Sequence, residues 1–254
     1  MSLPDVLVAM PARNEQATVR AALRSVGAAL TDARRHGLIG RTHVEVAAHR
    51  CRDRTFDEAR SALAGMSSAQ VLRDETSSTV GEVRHAAVLR GLDRLDGPPD
   101  STWVLSTDAD TVVGADWVRR ILAEASVADA VAVVGLADLD RWQGAAHTEP
   151  AYASLLASKM RAPVGLRQHD HVYGANLAVR ADAYLDCGGF PTVGHGEDQL
   201  LVDDLARRGH RVARTRNVRV RTSGRLAGRA DRGLAAHLHR LHLAGQVLPD
   251  TGTV

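Results

Sequence analysis

The sequence has little of what marks several large classes of protein. Aromatic residues make up 3% of the 254 residues, lysine occurs once, at Lys159, and cysteine twice, at Cys51 and Cys187. Two cysteines at this separation form neither a zinc-ligand spacing nor a disulfide framework, so we expect reduced thiols and a cytoplasmic location. No uncharged apolar run approaches the ~20 residues of a spanning helix. We expect neither a secretory signal nor a transmembrane segment; peripheral membrane contact stays open.

Because lysine is nearly absent, arginine supplies almost all of the 32 basic residues, and ten arginines lie between Arg207 and Arg232. Such a stretch can bind nucleic acid or an anionic membrane. No aromatic residue is interleaved for base stacking and the net charge is only +2, so we expect no nucleic-acid partner. The alternation VRVRT instead predicts arginines on one face of a strand. Arg221 and Arg225 are the candidates for phosphate binding.

What the sequence does contain is a regular alternation of apolar runs and helix-period stretches. The predicted strands are Val6–Met10, Val44–Ala48, Ala69–Arg73, Trp103–Thr107 and Ala130–Leu136. The predicted helices between them are Gln16–Leu30, Phe56–Leu63, Gly81–Leu95 and Asp116–Ala125. Strands that are apolar throughout and separated by helices indicate a mainly parallel sheet covered on both faces. We therefore predict a single α/β domain with a Rossmann-like sheet.

The pattern is less regular after Arg141. The segments predicted there are a helix at Pro150–Arg161, a strand at His171–Arg180, a helix from about Glu197, a strand at Val212–Val220 and a closing helix at Leu234–Leu243. We expect this second half to form the other wall of a crevice within the same domain. The predicted domain covers residues 1–225, and residues 226–254 form a C-terminal helix and tail.

Two aspartates follow the fourth predicted strand directly. Ligands of parallel α/β sheets bind outside the carboxyl ends of the strands, which is where Asp108 and Asp110 lie. Carboxylates at this spacing could converge on Mg²⁺ or Mn²⁺ and a diphosphate. The alternative is an Asx turn or a helix cap. The position after a buried strand favours the metal and phosphate.

The segments after the other strands are also polar. In PARNE (Pro11–Glu15), Asn14 could cap a helix while backbone N–H groups face a nucleotide. Asp53 could contact a base or ribose, and Arg84 a phosphate or base, although an exposed arginine is the alternative. The chain has no glycine-rich dinucleotide fingerprint and no P-loop. This argues against a dehydrogenase and against an ordinary nucleotide hydrolase.

Adjacent carboxylates, Glu197 and Asp198, open the helix predicted in GEDQLLVDDLARRG. The helix dipole stabilises them there, so a purely structural role is one interpretation. The dipole also keeps them ionised, which suits a carboxylate that must accept a proton. Pairing this site with the earlier aspartates favours catalysis.

Four segments, in this order and spacing, resemble glycosyltransferase family 2, which has the GT-A fold. They are VAMPARNE, STDADT, YGANLAVR followed by GGF, and GEDQLLVDDLARRG. The resemblance covers roughly residues 6–223. It implies a nucleotide-diphosphate sugar donor bound by residues 1–140, a divalent cation, Mg²⁺ or Mn²⁺, and an acceptor hydroxyl of unknown identity bound by residues 141–225.

The resemblance also implies a role for each matching residue. The residues that would border the nucleotide, with Arg84 assisting, are Pro11, Ala12, Asn14 and Glu15. Asp110 would be the main protein ligand of the metal, with Asp108 nearer the ribose or sugar. Asp198 would be the catalytic base, with Glu197 beside it. The residues that would floor the sugar pocket are Tyr173, Gly174, Ala175 and Asn176.

One position departs from the family pattern. His49 stands where the family often has an aspartate that contacts uracil, so the donor base is left unidentified, with guanine among the candidates. We predict a metal-dependent transfer with inversion; a retaining enzyme would not use Asp198 as a base. The alternatives are a nucleotidyltransferase, for which PARNE lacks the expected glycine-rich basic loop, and a non-catalytic nucleotide-sugar-binding protein.

Overall fold

In a computed structural model, the described residues are 3–140, 157, 160–164 and 167–224, and they contain ten strands. The strands are β1 (Asp5–Ala12), β2 (Thr42–His49), β3 (Ala69–Asp74), β4 (Thr102–Ser106), β5 (Thr111–Val113), β6 (Ala132–Asp140), β7 (Met160–Val164), β8 (Arg167–His169), β9 (Leu177–Arg180) and β10 (Val212–Ser223). The α-helices are α1 (Val19–Arg35), α2 (Thr55–Leu63), α3 (Val80–Leu95), α4 (Trp117–Ala128), α5 (Ala181–Asp186) and α6 (Glu197–Arg207). None of these helices is long and apolar enough to cross a bilayer.

All ten strands belong to one sheet, in the order β3-β2-β1-β4-β9-β6-β10-β8-β7, with β5 paired to β10. The pairs β1–β2, β2–β3, β1–β4 and β6–β10 are parallel. Strand β9 is antiparallel to both of its neighbours, β4 and β6. The predicted single α/β domain with a mainly parallel sheet is confirmed.

Helices cover both faces of the sheet because the central strands are apolar on both. In β1, Val6, Val8 and Met10 pack on one face with α1, α2 and α4. Leu7 and Ala9 alternate with them and pack on the other face with α3, α5 and α6. This two-sided burial explains why the strands are continuous apolar runs rather than alternating ones.

The first five predicted strands and four predicted helices are all present, with shifted ends. Helix α1 begins at Val19 rather than at Gln16, because Asn14 adopts a left-handed φ of 54° and the N-cap position falls to Thr18. The predicted cap by Asn14 is therefore wrong. The three-residue strand β5 is too short for a periodic pattern and was not predicted.

The second half differs more from the prediction. The strand expected at His171–Arg180 is limited to Leu177–Arg180, because Gly174–Asn176 forms a 3-10 turn. Strand β7 includes the last residues of the helix expected at Pro150–Arg161, which is wrong there. The earlier part of that helix lies almost wholly outside the described residues. So do Arg225, the Leu234–Leu243 helix and the tail at 226–254.

Candidate active site

A buried arginine lies at the centre of the site. Arg84 on α3 is 5% exposed, so its interpretation as a surface arginine is wrong. Its Nη2 donates to Asp108 Oδ1 at 2.6 Å and its Nε to Glu197 Oε1 at 3.2 Å. Its Nη1 donates to Ser106 Oγ at 2.8 Å and to the Gly174 carbonyl at 3.3 Å. Burial opposes the charge, but the surrounding carboxylates raise the pKa of Arg84, which stays a cation.

The start of α3 is fixed in place by local chemistry and by close packing. Thr79 accepts a hydrogen bond from the Glu82 N–H, and the Glu82 side chain accepts one from the Thr79 N–H, forming a capping box. A Cβ at Gly81 would lie 2.2 Å from the Pro191 carbonyl oxygen and 3.2 Å from the Glu197 Cβ. Glycine therefore lets α3 begin directly against the segment that leads into α6, which brings Arg84 to Glu197.

Asp198 is a partly buried carboxylate held by two backbone donors. Its Oδ2 accepts from the Gly174 N–H at 2.7 Å, and its Oδ1 from the Gln199 N–H at 2.8 Å. Burial first, and then the charge of Glu197, raise the pKa of Asp198 to about 6, although Arg84 and the two backbone bonds oppose the rise. A carboxylate with this pKa is largely ionised at neutral pH and is a better proton acceptor than an ordinary aspartate.

The two aspartates of the DAD segment have different surroundings. The side chain of Asp108 is 33% exposed and is ion-paired with Arg84. Asp110 Oδ1 accepts from Thr222 Oγ1 at 3.3 Å, and that hydroxyl also accepts from Thr111 at 3.0 Å. An arginine therefore neutralises the first carboxylate, while the second lies beside the carboxyl-terminal part of β10. One or two carboxylates completed by phosphate oxygens and water match the coordination that Mg²⁺ takes with nucleotides.

The turn at Gly174 joins the acceptor side of the site to its centre through backbone atoms. The Gly174 carbonyl accepts from Arg84 and its N–H donates to Asp198. A Cβ at this position would lie 2.7 Å from Arg84 Nη2, so only glycine fits without moving the guanidinium. In the adjoining segment, Tyr173 Oη is 2.9 Å from His171 Nδ1.

The Asn176 side chain is 1% exposed and is bonded within the interior. Its Oδ1 accepts from Trp117 Nε1 at 2.9 Å, and its Nδ2 donates to the carbonyls of Leu136 at 2.8 Å and Val218 at 3.1 Å. These bonds show that its amide anchors the turn to α4, β6 and β10. The neighbouring Ala175 is also buried, at 5%.

The loops after β1 and β2 are linked by hydrogen bonds. Asn14 Oδ1 accepts from the Arg52 N–H at 2.8 Å, and the Glu15 N–H donates to Thr55 Oγ1 at 2.6 Å. Asp53 Oδ1 accepts from the Thr55 N–H at 3.0 Å, at the start of α2. The structure thus brings together the predicted nucleotide-binding residues Asn14, Glu15 and Asp53, in two loops that are joined by hydrogen bonds.

A buried His–Asp pair lies at the same sheet edge. His49 and Asp74 are paired in register at the ends of β2 and β3, and Pro11 and Ala12 end the adjacent β1. His49 Nδ1 is 3.4 Å from Asp74 Oδ2, with exposures of 7% and 5%, and neither of these two atoms makes a hydrogen bond. Sequence analysis missed Asp74 because the predicted third strand stopped one residue earlier.

The arginines of β10 alternate as predicted. Arg219 and Arg221 are exposed, whereas Val218, Val220 and Thr222 are buried. Because successive side chains of a strand point to opposite faces, Arg221 lies on the other face of β10 from Thr222, which contacts Asp110. Phosphate binding by Arg221 stays a prediction.

The fold was compared with solved structures. Residues 1–349 of S. aureus TarS, in complex with UDP-GlcNAc, align with 98% of this chain and 68% of that chain, at a TM-score of 0.65 and 13% identity. The mannosyltransferase PcManGT from Pyrobaculum calidifontis, in complex with GDP-Man and Mn²⁺, aligns with 100% of this chain and 67% of that chain, at a TM-score of 0.66 and 16% identity. The chain has the GT-A fold.

At these identities the likeness establishes the GT-A fold and nothing finer. No family model matches the sequence, and no curated protein shows significant similarity to it. Membership of family 2 therefore stays a prediction. Within this fold, Arg84 forms ion pairs with Asp108, in the segment after β4, and with Glu197, at the start of α6.

Proposed function

We propose that this chain is a metal-dependent glycosyltransferase that moves a sugar from a nucleotide-diphosphate sugar to an acceptor hydroxyl, with inversion at the anomeric carbon. The observation that carries the proposal is Asp198, a partly buried carboxylate with a pKa near 6, fixed by the Gly174 N–H. It belongs to the same hydrogen-bonded cluster as Asp108, through Glu197 and Arg84. A positioned base beside a candidate phosphate and metal site is what sugar transfer requires.

The donor half of the proposal rests on the DAD segment and the neighbouring loops. Asp110, with Asp108, would hold Mg²⁺ or Mn²⁺, and the loops at Pro11–Glu15 and Asp53 would border the nucleotide. The bound cation would stabilise the negative charge that develops on the leaving diphosphate. The fold neighbours support the donor class, since TarS was solved with UDP-GlcNAc and PcManGT with GDP-Man and Mn²⁺.

The acceptor half uses Asp198 as the base. As the acceptor oxygen forms its bond to the anomeric carbon, its proton passes to Asp198, and the bond from that carbon to the diphosphate oxygen breaks with its electron pair on the leaving group. Attack from the face opposite the diphosphate inverts the configuration. Tyr173 and the backbone of Gly174 would border the sugar. Because the Gly174 N–H donates to Asp198 Oδ2, the sugar would lie next to the base.

Arg84 has a positioning role in this scheme. Its described bonds go to Asp108, Ser106, Gly174 and Glu197, so it orients the groups on both sides of the reaction. Its charge also opposes the rise in the Asp198 pKa. Without Arg84, Asp198 would be protonated over a wider range of pH.

Donor binding is tested by thermal unfolding of the wild type, Asp110→Asn and the matched control Asp116→Asn, with UDP-, GDP-, dTDP- and ADP-sugars, with and without Mn²⁺. A ligand at ~100 times its Kd adds about 2.7 kcal/mol to the unfolding free energy. We expect one nucleotide class to stabilise the wild type and the control only with metal, and Asp110→Asn to lose the effect. No stabilisation of the wild type by any donor would contradict the proposal.

Transfer is tested with the stabilising donor against a panel of hydroxyl acceptors. The products distinguish the reaction classes, because a glycosyltransferase releases a nucleoside diphosphate and a nucleotidyltransferase releases pyrophosphate. The anomeric configuration of the product, read by NMR, decides between inversion and retention. Asp198→Asn should keep donor-dependent stabilisation and lose transfer; an Asp198→Asn variant with wild-type turnover would remove the base from the mechanism.

The place of action is also a proposal. Cys51 and Cys187 are both free thiols, which is compatible with the reducing cytoplasm that the sequence predicts. Fractionation of cells that express the chain, with and without a high-salt wash, would separate a cytoplasmic protein from one bound peripherally to a membrane.

A further inference from the structure

A second cluster of potential metal ligands lies at the far end of α6 from Asp198. Asp186 and Cys187 follow one another at the end of α5, and His210 follows α6; one ligand atom from each lies within 4.8 Å of the other two. His210 Nε2 is 3.2 Å from Asp186 Oδ2. Helix α6 has eleven residues, so the cluster at its end lies about 16 Å along the helix axis from its start.

A fourth donor comes from α6 itself. Asp204 lies outside the group of three, and its charge is close enough to the Cys187 thiol to add to the rise that burial causes in the pKa of the thiol. Two cations face this group. Arg208 Nε donates to Asp204 Oδ2 at 3.1 Å and its Nη1 is 3.4 Å from Asp186 Oδ2, while Arg207 Nη2 donates to Asp204 Oδ1 at 2.5 Å. Their side chains are 44% and 76% exposed, so both can turn into solvent without leaving a buried charge.

We propose that Asp186, Cys187 and His210 form a Zn²⁺ site that is separate from the candidate active site, and that Asp204 turns away from Arg207 and Arg208 to complete it as the fourth ligand. Sulfur, imidazole nitrogen and carboxylate oxygen in a group of four are the donors that zinc takes in tetrahedral sites. A thiolate and an imidazole select zinc over Mg²⁺ and Mn²⁺, which prefer oxygen ligands. On binding, the Cys187 thiol releases its proton to solvent, His210 binds as the neutral ring, and Arg207 and Arg208 leave the carboxylates.

The site would act as a structural clip. It would join the end of α5 to the turn after α6, where Gly209 has a left-handed φ of 83° and the His210 N–H donates to the Leu205 carbonyl at 3.0 Å. Zinc would thereby fix the end of α6 that lies opposite the Glu197–Asp198 pair. The expected benefit is stability, since the site contacts none of the residues that we assign to catalysis.

The test is a Zn²⁺ titration of the full chain, stripped of metal beforehand, followed by calorimetry and by thermal unfolding. The variants are Cys187→Ser and His210→Gln. The matched controls are Cys51→Ser, which removes the other thiol, and His36→Gln, which removes a histidine that is 3.5 Å from Asp32 and belongs to no group of three potential ligands among the described residues. Circular dichroism of each metal-free variant establishes that it is folded before zinc is added.

We expect wild type and both controls to bind one equivalent of Zn²⁺ with a rise in Tm. Because loss of even an outer-shell partner weakens metal binding about 10- to 100-fold, each ligand variant should lose at least that much affinity. Co²⁺ gives an independent readout: wild type should show a thiolate-to-cobalt charge-transfer band that Cys187→Ser lacks. Zinc binding of equal strength in wild type and Cys187→Ser, or no thiolate band with wild type, would overturn the proposal.

Discussion

At the residue scale, the site is governed by one buried cation among three carboxylates. Arg84 is ion-paired with Asp108 and Glu197, and the charge of Asp198 also contributes to raising its pKa. A single positive charge cannot neutralise three negative ones. Burial is the main cause of the raised pKa of Asp198, and the uncompensated charge of Glu197 adds to it.

Removing the Arg84 charge should destabilise the protein strongly. In Arg84→Met, a side chain of similar length leaves Asp108 and Glu197 without their partner, and breaking a buried ion pair in this way costs about 3–5 kcal/mol. Urea unfolding at pH 7.5 measures the change. The control Arg94→Met, at an exposed position on the same helix, should stay within about 0.5 kcal/mol of wild type, and an equal loss in both variants would argue against the ion-pair cluster.

Asp198 should make the wild type less stable as the pH rises. Its folded pKa of about 6 lies above its ordinary value of 3.8, so the bound proton stabilises the fold at low pH and this contribution is lost as the pH rises through 6. Asp198→Asn stays neutral, but its amide nitrogen cannot accept one of the two backbone bonds, which costs the variant a similar amount at every pH. Relative to wild type, the variant should therefore gain roughly 2 kcal/mol of unfolding free energy between pH 4 and pH 7.5. Denaturation curves at both pH values measure this, and an equal difference between variant and wild type at the two pH values would mean that Asp198 is not desolvated.

At the scale of elements, the site depends on the contact between the first turns of α3 and α6. Gly81 lies against the Pro191 carbonyl and the Glu197 Cβ. The Pro191 carbonyl is backbone and the start of α3 is fixed by its capping box, so neither can shift easily to make room for a side chain at position 81. The capping box at Thr79 holds α3 in this place.

Gly81→Ala should therefore weaken both the fold and the site. Alanine favours the helix by up to about 1 kcal/mol over glycine, but overpacking against backbone costs about 1–3 kcal/mol, so we expect a net loss of unfolding free energy. Gly91→Ala is the comparison on the same helix, because the three atoms nearest to its Cβ all belong to the Leu7 side chain, the closest at 2.2 Å, rather than to backbone. A Gly81→Ala variant that is more stable than wild type would contradict the close approach of α3 to α6.

The elements of the first half could be predicted from the sequence because their chemistry is local. Val6–Met10 and Trp103–Thr107 are apolar runs, and the aspartates after β4 follow from the end of such a run. The contacts of Arg84 could not be predicted, since they join residues up to 113 positions apart and a lone arginine on a helix carries no sign of burial. The predicted range of strand β9 was too long at its start. The 3-10 turn at Gly174–Asn176 depends on tertiary hydrogen bonds of Asn176, which the local sequence does not indicate.

At the scale of the whole molecule, one buried amide links distant parts of the chain. Asn176 is bonded to Trp117 on α4, to Leu136 on β6 and to Val218 on β10. A Cβ at Gly135 would lie 2.2 Å from the Asn176 Nδ2, so the space around the amide is closed on that side as well.

Asn176→Ala should lower the unfolding free energy by about 3 kcal/mol or more, because it removes three hydrogen bonds and leaves the indole N–H and two carbonyls unsatisfied in the interior. The matched control is Asn217→Ala, whose amide donates to Glu124 at the surface and whose loss should be within about 0.5 kcal/mol. Chemical denaturation of the pair measures the difference. Similar values for the two variants would show that water replaces the lost partners of Asn176.

The antiparallel strand β9 also has a consequence for the order of assembly. During synthesis β1, β2, β3 and β4 can pair as they emerge, whereas the neighbours of β6 among the described strands are β9 and β10. The backbone groups of β6 can therefore form their sheet hydrogen bonds only after β9, which contains Ala178, and then β10, which contains Ala213, have been synthesised. Closing such distant pairs is slow because loop entropy is lost before the contacts form. A nascent chain that stalls after Asp140 would expose an apolar strand before its partners β9 and β10 have been made, and unpaired strand edges of this kind are prone to aggregate.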